Sequence, residues 1–355
     1  MPFVRVWPRP SNHHHRRRRP ARVAAAFAVA LAAALAGAVH GTGPGSPPET
    51  AVAAPAPPAP APAASLEDVS AAGGVPLADL LLPDGPLPSL PRGAADLRAR
   101  GGPRLTVPIL MYHYIRVSPG SRDPLGESLS VTPRDFAGQM AMLRRAGVHT
   151  VSLGDVVAAL GGGGPLPAHP VVLTFDDGYR DFSTTALPVL EADGLTATVF
   201  VVSGFVGRPG YMTAADVAAA AAAGMTIGAH TVHHVALAHI PAALARVEIE
   251  VSREALERLS GQPVADFAYP YGDTSRAVQA MVAAAGFQDA VTTVFGTTAA
   301  PWRQFSLSRV RIEGADSLAS FAARVLGPLG LRATPGPDLL PAPGRMAERI
   351  PGTPY

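Results

Sequence analysis

Between residues 104 and 330 short apolar runs alternate with longer stretches of helical periodicity. The runs at 107–112, 171–175, 197–202, 225–228, 266–269, 290–293 and 307–312 have strand length, most are dominated by Val, Leu, Ile and Phe, and together they predict seven strands. In the stretches between them apolar positions recur every three or four residues, which predicts helices at 133–146, 213–223, 240–259, 275–285 and 317–326. Thr132 followed by Pro133 marks the start of the first, since a hydroxyl caps free N–H groups and proline suits the first helical position. This alternation predicts an α/β domain with a mostly parallel sheet, and the strand count suits a closed or nearly closed barrel better than an open sheet. The sequence contains no internal repeat.

The flanks read differently. Residues 23–39 are almost wholly apolar and follow an arginine-rich stretch, so residues 1–40 are expected to be a signal peptide or a membrane anchor, with Ala36, Gly37 and Ala38 as a small-residue cleavage site. Either way the body is expected to be exported, touching the membrane only through that segment. Residues 41–103 form a Pro/Ala-rich linker and lead-in, too poor in large apolar residues to bury a core, and 331–355 again lose pattern, as a disordered tail does. Residues 104–330 remain as one compact domain. The net charge of +2 hides an asymmetry: seven of the 29 basic residues lie in residues 1–22, leaving 22 against 27 acidic ones in the rest. A mildly acidic body argues against a nucleic-acid partner. With no cysteine, an exported domain must rest on its core rather than on disulfides. Oligomeric state is left open.

Two runs carry candidate chemistry. In VVLTFDDGYRD, residues 171–181, an apolar strand ends in Asp176, Asp177 and Gly178, at the kind of strand tip where barrel enzymes place reacting groups. In IGAHTVHHVALAH, residues 227–239, His230 and His234 stand four apart, a spacing that on a helical turn puts both imidazoles on one face while His233 points elsewhere. Thr231 occupies the place where a metalloprotease helix carries its glutamate base. Two imidazoles and a carboxylate make an open metal site, and a spare carboxylate beside it completes the set for metal-assisted hydrolysis.

TFDDGY, HTVHH and FAYPYG together resemble the polysaccharide deacetylase family, the NodB-homology or carbohydrate esterase family 4 domain, over residues 108–312. The resemblance implies a distorted, incomplete (β/α) barrel that hydrolyses N-acetyl groups of sugars with a divalent metal, zinc foremost, with cobalt, nickel and iron also suited to the ligands. It implies Asp177, His230 and His234 as ligands, Asp176 as general base, and Tyr271 as substrate contact and donor of a backbone N–H to the oxyanion. Two positions depart from the family pattern. The motif arginine is replaced by Ala268, with Arg309 and Arg311 as candidate substitutes, and no histidine follows His239 to serve as the usual acid. His113, at the tip of the first strand, resembles the early histidine of the branch containing poly-β-1,6-N-acetylglucosamine deacetylases, and is the expected general acid. Tyr112, Tyr114, Tyr179 and Tyr269 are candidates for core or for a sugar groove. The expected activity is deacetylation of N-acetylglucosamine units in an extracellular or cell-wall polysaccharide. An O-acetyl glycan esterase and a non-catalytic glycan-binding module are the alternatives.

Overall fold

Each of the seven apolar runs forms a strand: β1 Ile109–Tyr112, β2 Pro170–Phe175, β3 Thr198–Val201, β4 Thr226–Ala229, β5 Asp266–Ala268, β6 Asp289–Phe295 and β7 Leu307–Arg311. The computed structural model describes residues 102–120 and 123–332, so the signal or anchor, nearly all of the linker, and the tail beyond 332 lie outside the described residues. The strands are all parallel, and each pairs with its neighbour in chain order except that β1 lies between β7 and β2. The pairing of Ile109 with Val172 and of Leu110 with Leu173 closes the barrel, while Val310 pairs with Leu110 on the other side. Seven strands make the incomplete barrel expected. Its distortions are a single register pair between β4 and β5 and an irregular register between β6 and β7.

Alternation along the strands sorts the core into two clusters. Ile109, Val172, Phe200, Ala268, Val291 and Leu307 point inward, whereas Leu110, Leu173, Val199, Phe267, Ala290 and Val310 pack outward against helices. Gly228 is inward too, and a Cβ there would stand 2.5 Å from the Phe200 ring, so glycine makes the room that the ring fills. At the end where the strands begin, Asp266 and Asp289 face each other across β5 and β6, both buried, and Thr198 Oγ1 donates to Asp266 Oδ2 at 3.3 Å.

Besides a six-residue helix at Pro124–Leu129, the helices are α1 Pro133–Arg145, α2 Leu153–Leu160, α3 Leu187–Asp193, α4 Ala214–Ala222, α5 Ala242–Ser260, α6 Arg276–Ala284 and α7 Leu318–Val325. Five match the periodicity within two residues. Thr132 caps α1 by accepting from Asp135 N, as its position predicts. The periodicity misses α2 and α3, which are short. A capping box of Ser152 and Asp155 starts α2, and it sends Leu153, Val156 and Leu160 into the inner cluster as a plug for the barrel's lower end. No α-helix joins β6 to β7: the link contains a short strand, Thr298–Ala299, paired antiparallel with Leu105–Thr106, and a single 3-10 turn at Pro301–Arg303. Among the described residues no helix is long and apolar enough to cross a membrane.

Candidate metal centre and active site

Because the strands are parallel, their carboxyl ends meet on one rim, and the motif residues all lie there. His113 follows β1, Asp176 and Asp177 follow β2, and His230 follows β4. Asp177 and Gly178 both take left-handed backbone, with φ of 73° and 70°, and a Cβ on Gly178 would meet Val201 Cγ1 at 3.0 Å. Asp177 Oδ1 lies 3.4 Å from His230 Nε2 and 3.2 Å from His234 Nε2. Unlike donors bound at ~2.1 Å to one tetrahedral cation stand about 3.4 Å apart, so these separations fit a shared divalent ion. Candidate ligand atoms of the three residues all lie within 4.8 Å of one another. His230 Nδ1 is 2.7 Å from the Ala268 carbonyl oxygen, a contact that fixes the ring with Nε2 facing Asp177. Burial pushes the Asp177 carboxyl upward, but hydrogen bonds from His230 and His234 overcome it and hold it well below the ordinary carboxylate value.

The two histidines do not share a helical turn. Thr231 and His234 have φ of 64° and 57°, which no α-helix accommodates, and Thr231 Oγ1 accepts from His234 N at 2.9 Å. The cause is Glu248 on α5, fully buried, whose Oε2 accepts from Val232 N at 2.9 Å and His233 N at 3.0 Å while Oε1 lies 2.9 Å from His233 Nδ1. His233 does point elsewhere, into this carboxylate. Four of the five non-glycine residues with positive φ are Asp177, Thr231, His234 and Tyr271, among the described residues. Such backbone costs about 1 kcal/mol or more per residue, and it concentrates at this rim.

Asp176 stays outside the histidine cluster because Arg309 claims it. The arginine is 0% exposed and binds the carboxylate with both ends of its fork, Nη1 to Oδ1 and Nη2 to Oδ2, each at 2.7 Å. Its Nε donates to Thr292 O at 2.9 Å, and Nη1 also donates to Thr174 Oγ1 at 3.0 Å. Burial raises the Asp176 carboxyl, yet Arg309 more than offsets this and leaves it below the ordinary value. Arg309 therefore supplies the guanidinium that position 268 lacks. Arg311, whose carbonyl accepts from Arg324, is not its partner.

His113 Nε2 stands 3.9 Å from Asp176 Oδ2. Burial holds the imidazole below its ordinary pKa, opposed by the charges of Asp176 and Asp177. The Tyr271 ring lies 4.6 Å from that of His234, 64% exposed. Tyr112 and Tyr269 are core, their hydroxyls donating to Gln139 Oε1 at 2.8 Å and Phe305 O at 3.0 Å. Tyr114, Tyr179 and Tyr211 stack at 3.7 and 5.2 Å and are half-buried near Asp177, whose charge, after burial, helps raise each phenol.

The pattern reading missed Thr174 and Glu248. A signal for each exists: a hydroxyl at an inward strand position, and a glutamate among the buried positions Ala245, Ile249 and Ser252 of α5.

Residues 163–290 match the family profile described as polysaccharide deacetylase. YxkH of Bacillus subtilis (strain 168), named for that family, is 28% identical over 219 residues, spanning 62% of this chain and 76% of YxkH. The poly-β-1,6-N-acetyl-D-glucosamine N-deacetylase of Escherichia coli (strain K12) is 41% identical over 81 residues, 23% of this chain and 12% of that protein. The Streptococcus pyogenes deacetylase PplD, solved in complex with acetate, has a TM-score of 0.58 at 28% identity, covering 63% of this chain and 99% of that one. His113 and Arg309 lie outside the profile match, on the strands that close the barrel around it. This likeness runs through the strand tips bearing Asp176, Asp177, His230 and His234, and it is residues 163–290 that carry the match to a polysaccharide deacetylase domain.

Proposed function

We propose that this deacetylase acts on an extracellular or cell-wall polysaccharide, hydrolysing N-acetyl groups of its N-acetylglucosamine units with a divalent metal held by Asp177, His230 and His234. The observation that carries this reading is a carboxylate outside the ligand cluster, Asp176, clamped by Arg309 at 2.7 Å beside three candidate ligands. The basic and apolar N-terminal segment supports export, and the name of the Escherichia coli relative supports an amide rather than an ester as the bond cleaved.

A divalent cation at this site supplies Lewis acidity, lowering the pKa of a water toward ~7 and polarising the acetyl carbonyl. Asp176, kept ionised and aimed by Arg309, accepts the proton of the attacking water. The Tyr271 N–H donates to the carbonyl oxygen as it gains charge, and the Tyr271 ring flanks the sugar. His113 donates a proton to the nitrogen as the carbon–nitrogen bond breaks, leaving an amine and acetate. Since burial keeps His113 neutral in neutral solution, it takes up that proton within the cycle, and Asp176, 3.9 Å away, is within reach through one water.

The test is acetate release by the purified full chain from N-acetylated and O-acetylated oligosaccharides, after chelation and after adding back zinc, cobalt or nickel. Metal-restored release from the amide is expected. Release from the ester alone means an esterase, and glycan binding without release under any metal means a binding module.

A further inference from the structure

Across the turn Pro270–Gly272 from the histidines lies a cavity of about 770 Å³ that none of the steps above uses. Small-ligand sites run to about 300–1,000 Å³. The cavity lies along the link between β6 and β7, which holds no α-helix and lines it with residues 296–298, Trp302 and Arg303. Its lining combines hydroxyls, among them Thr292, Ser306 and Ser308, with the Trp302 indole and the guanidinium groups of Arg104 and Arg303. Arg104 Cζ stands 5.3 Å from the Trp302 ring centroid, and Arg303 Nη1 donates to Ser308 Oγ at 3.1 Å. No Asp or Glu lines this space, and among the described residues neither guanidinium has a carboxylate partner.

A track leads from the histidines to this cavity. Tyr271 stands beside His234, and its neighbour Gly272 lines the cavity, pressed so close to Thr293 that a Cβ would meet Thr293 Oγ1 at 2.1 Å. Val294 and Phe295, 56% and 66% exposed, continue the same rim. Large apolar side chains left in water on one edge mark a contact surface, and aromatic faces are what the apolar faces of sugar rings stack on.

We propose that the cavity is a second saccharide subsite that takes a carboxylate-bearing sugar of the polymer whose N-acetyl group lies at the histidine cluster, so that the substrate is an acidic glycan rather than a neutral one. This rests on the deacetylase reading. Two guanidinium groups without a counter-charge recognise a carboxylate by charge-assisted hydrogen bonds, while hydroxyls and the indole suit the rest of a sugar. A unit already deacetylated carries an ammonium group and is repelled from the same wall.

The experiment titrates the full chain, stripped of metal, with an oligosaccharide alternating N-acetylglucosamine with a carboxylate-bearing sugar, and with the same oligosaccharide after reduction of its carboxylates to alcohols. Calorimetry is expected to show about tenfold weaker binding of the reduced form, a difference that Arg104→Gln/Arg303→Gln abolishes while circular dichroism verifies the fold. Equal affinity for the two forms, or discrimination that survives in the double variant, overturns the proposal. Acetate release by the metal-loaded chain from a neutral N-acetylglucosamine oligomer separates the two readings. Release without charge discrimination leaves the deacetylase and removes the subsite; discrimination without release from any glycan keeps the saccharide site and removes the catalytic reading.

Discussion

Replacing Arg309 by methionine tests whether the buried guanidinium exists to hold Asp176. The side chain is 0% exposed and the carboxylate 4%, so the substitution leaves a buried negative charge without its partner. Removing one partner of a buried ion pair costs about 3–5 kcal/mol, chiefly because the other charge is left uncompensated. In a domain of this size 1 kcal/mol moves Tm by about 2–4 °C, so a fall on the order of 10 °C is expected. Neutralising the stranded group in the double variant Arg309→Met/Asp176→Asn restores about 2 kcal/mol or more of that loss. Urea denaturation of parent, single and double variants at one fixed metal concentration reads both numbers, because bound metal itself stabilises the fold. In the Arg309→Met variant kcat falls about 10²–10³-fold with metal content unchanged, since the arginine touches none of the three ligands. A single variant within about 1 kcal/mol of the parent, or no rescue by asparagine, refutes the pairing as the reason for the arginine.

The Asp176→Asn variant is expected to keep its metal and lose turnover while His234→Ala loses both, by elemental analysis beside acetate release; an active asparagine variant removes Asp176 as base. His113→Ala lowers kcat about 10²–10⁴-fold at unchanged metal content, and an undiminished kcat leaves the histidine structural. Glu248→Gln replaces an acceptor of three bonds by a group that can accept only at its oxygen, and metal affinity falls about 10–100-fold because the loop carrying His230 and His234 loosens; competition with a chelator measures it. The buried pair Asp266 and Asp289 titrates high, first through burial and, for Asp289, then through its neighbour's charge, with Asp266 raised to about 6. Raised carboxyl pKa values stabilise fully below the ordinary value near 3.8 and lose that contribution as pH climbs through about 6, so Asp289→Asn should flatten the fall of the urea midpoint above pH 4. Equal slopes in parent and variant would falsify the raised titration of this pair.

Sequence alone determined what depends on near neighbours. Seven strands and five helices follow from local periodicity, because side chains alternate every two residues in a strand and recur every three or four in a helix. The turn at Gly178 follows likewise, from a glycine placed straight after a strand, whereas the left-handed backbone of Asp177 appears only in the structure. The helical reading of His230 and His234 failed because Glu248, on a later helix, takes the loop's N–H groups. Position 309 shows the division most plainly. The letters LSRVRI offer two arginines, but choosing between them needs the closure of the barrel, which puts β7 beside β1 and β1 beside β2 and joins side chains 133 residues apart. Closure is a property of the whole sheet, set by burial of seven inner faces at once, and no window of sequence contains it. The cavity beside Tyr271 is likewise tertiary, since its lining draws on Arg104, Gly272 and the link between β6 and β7.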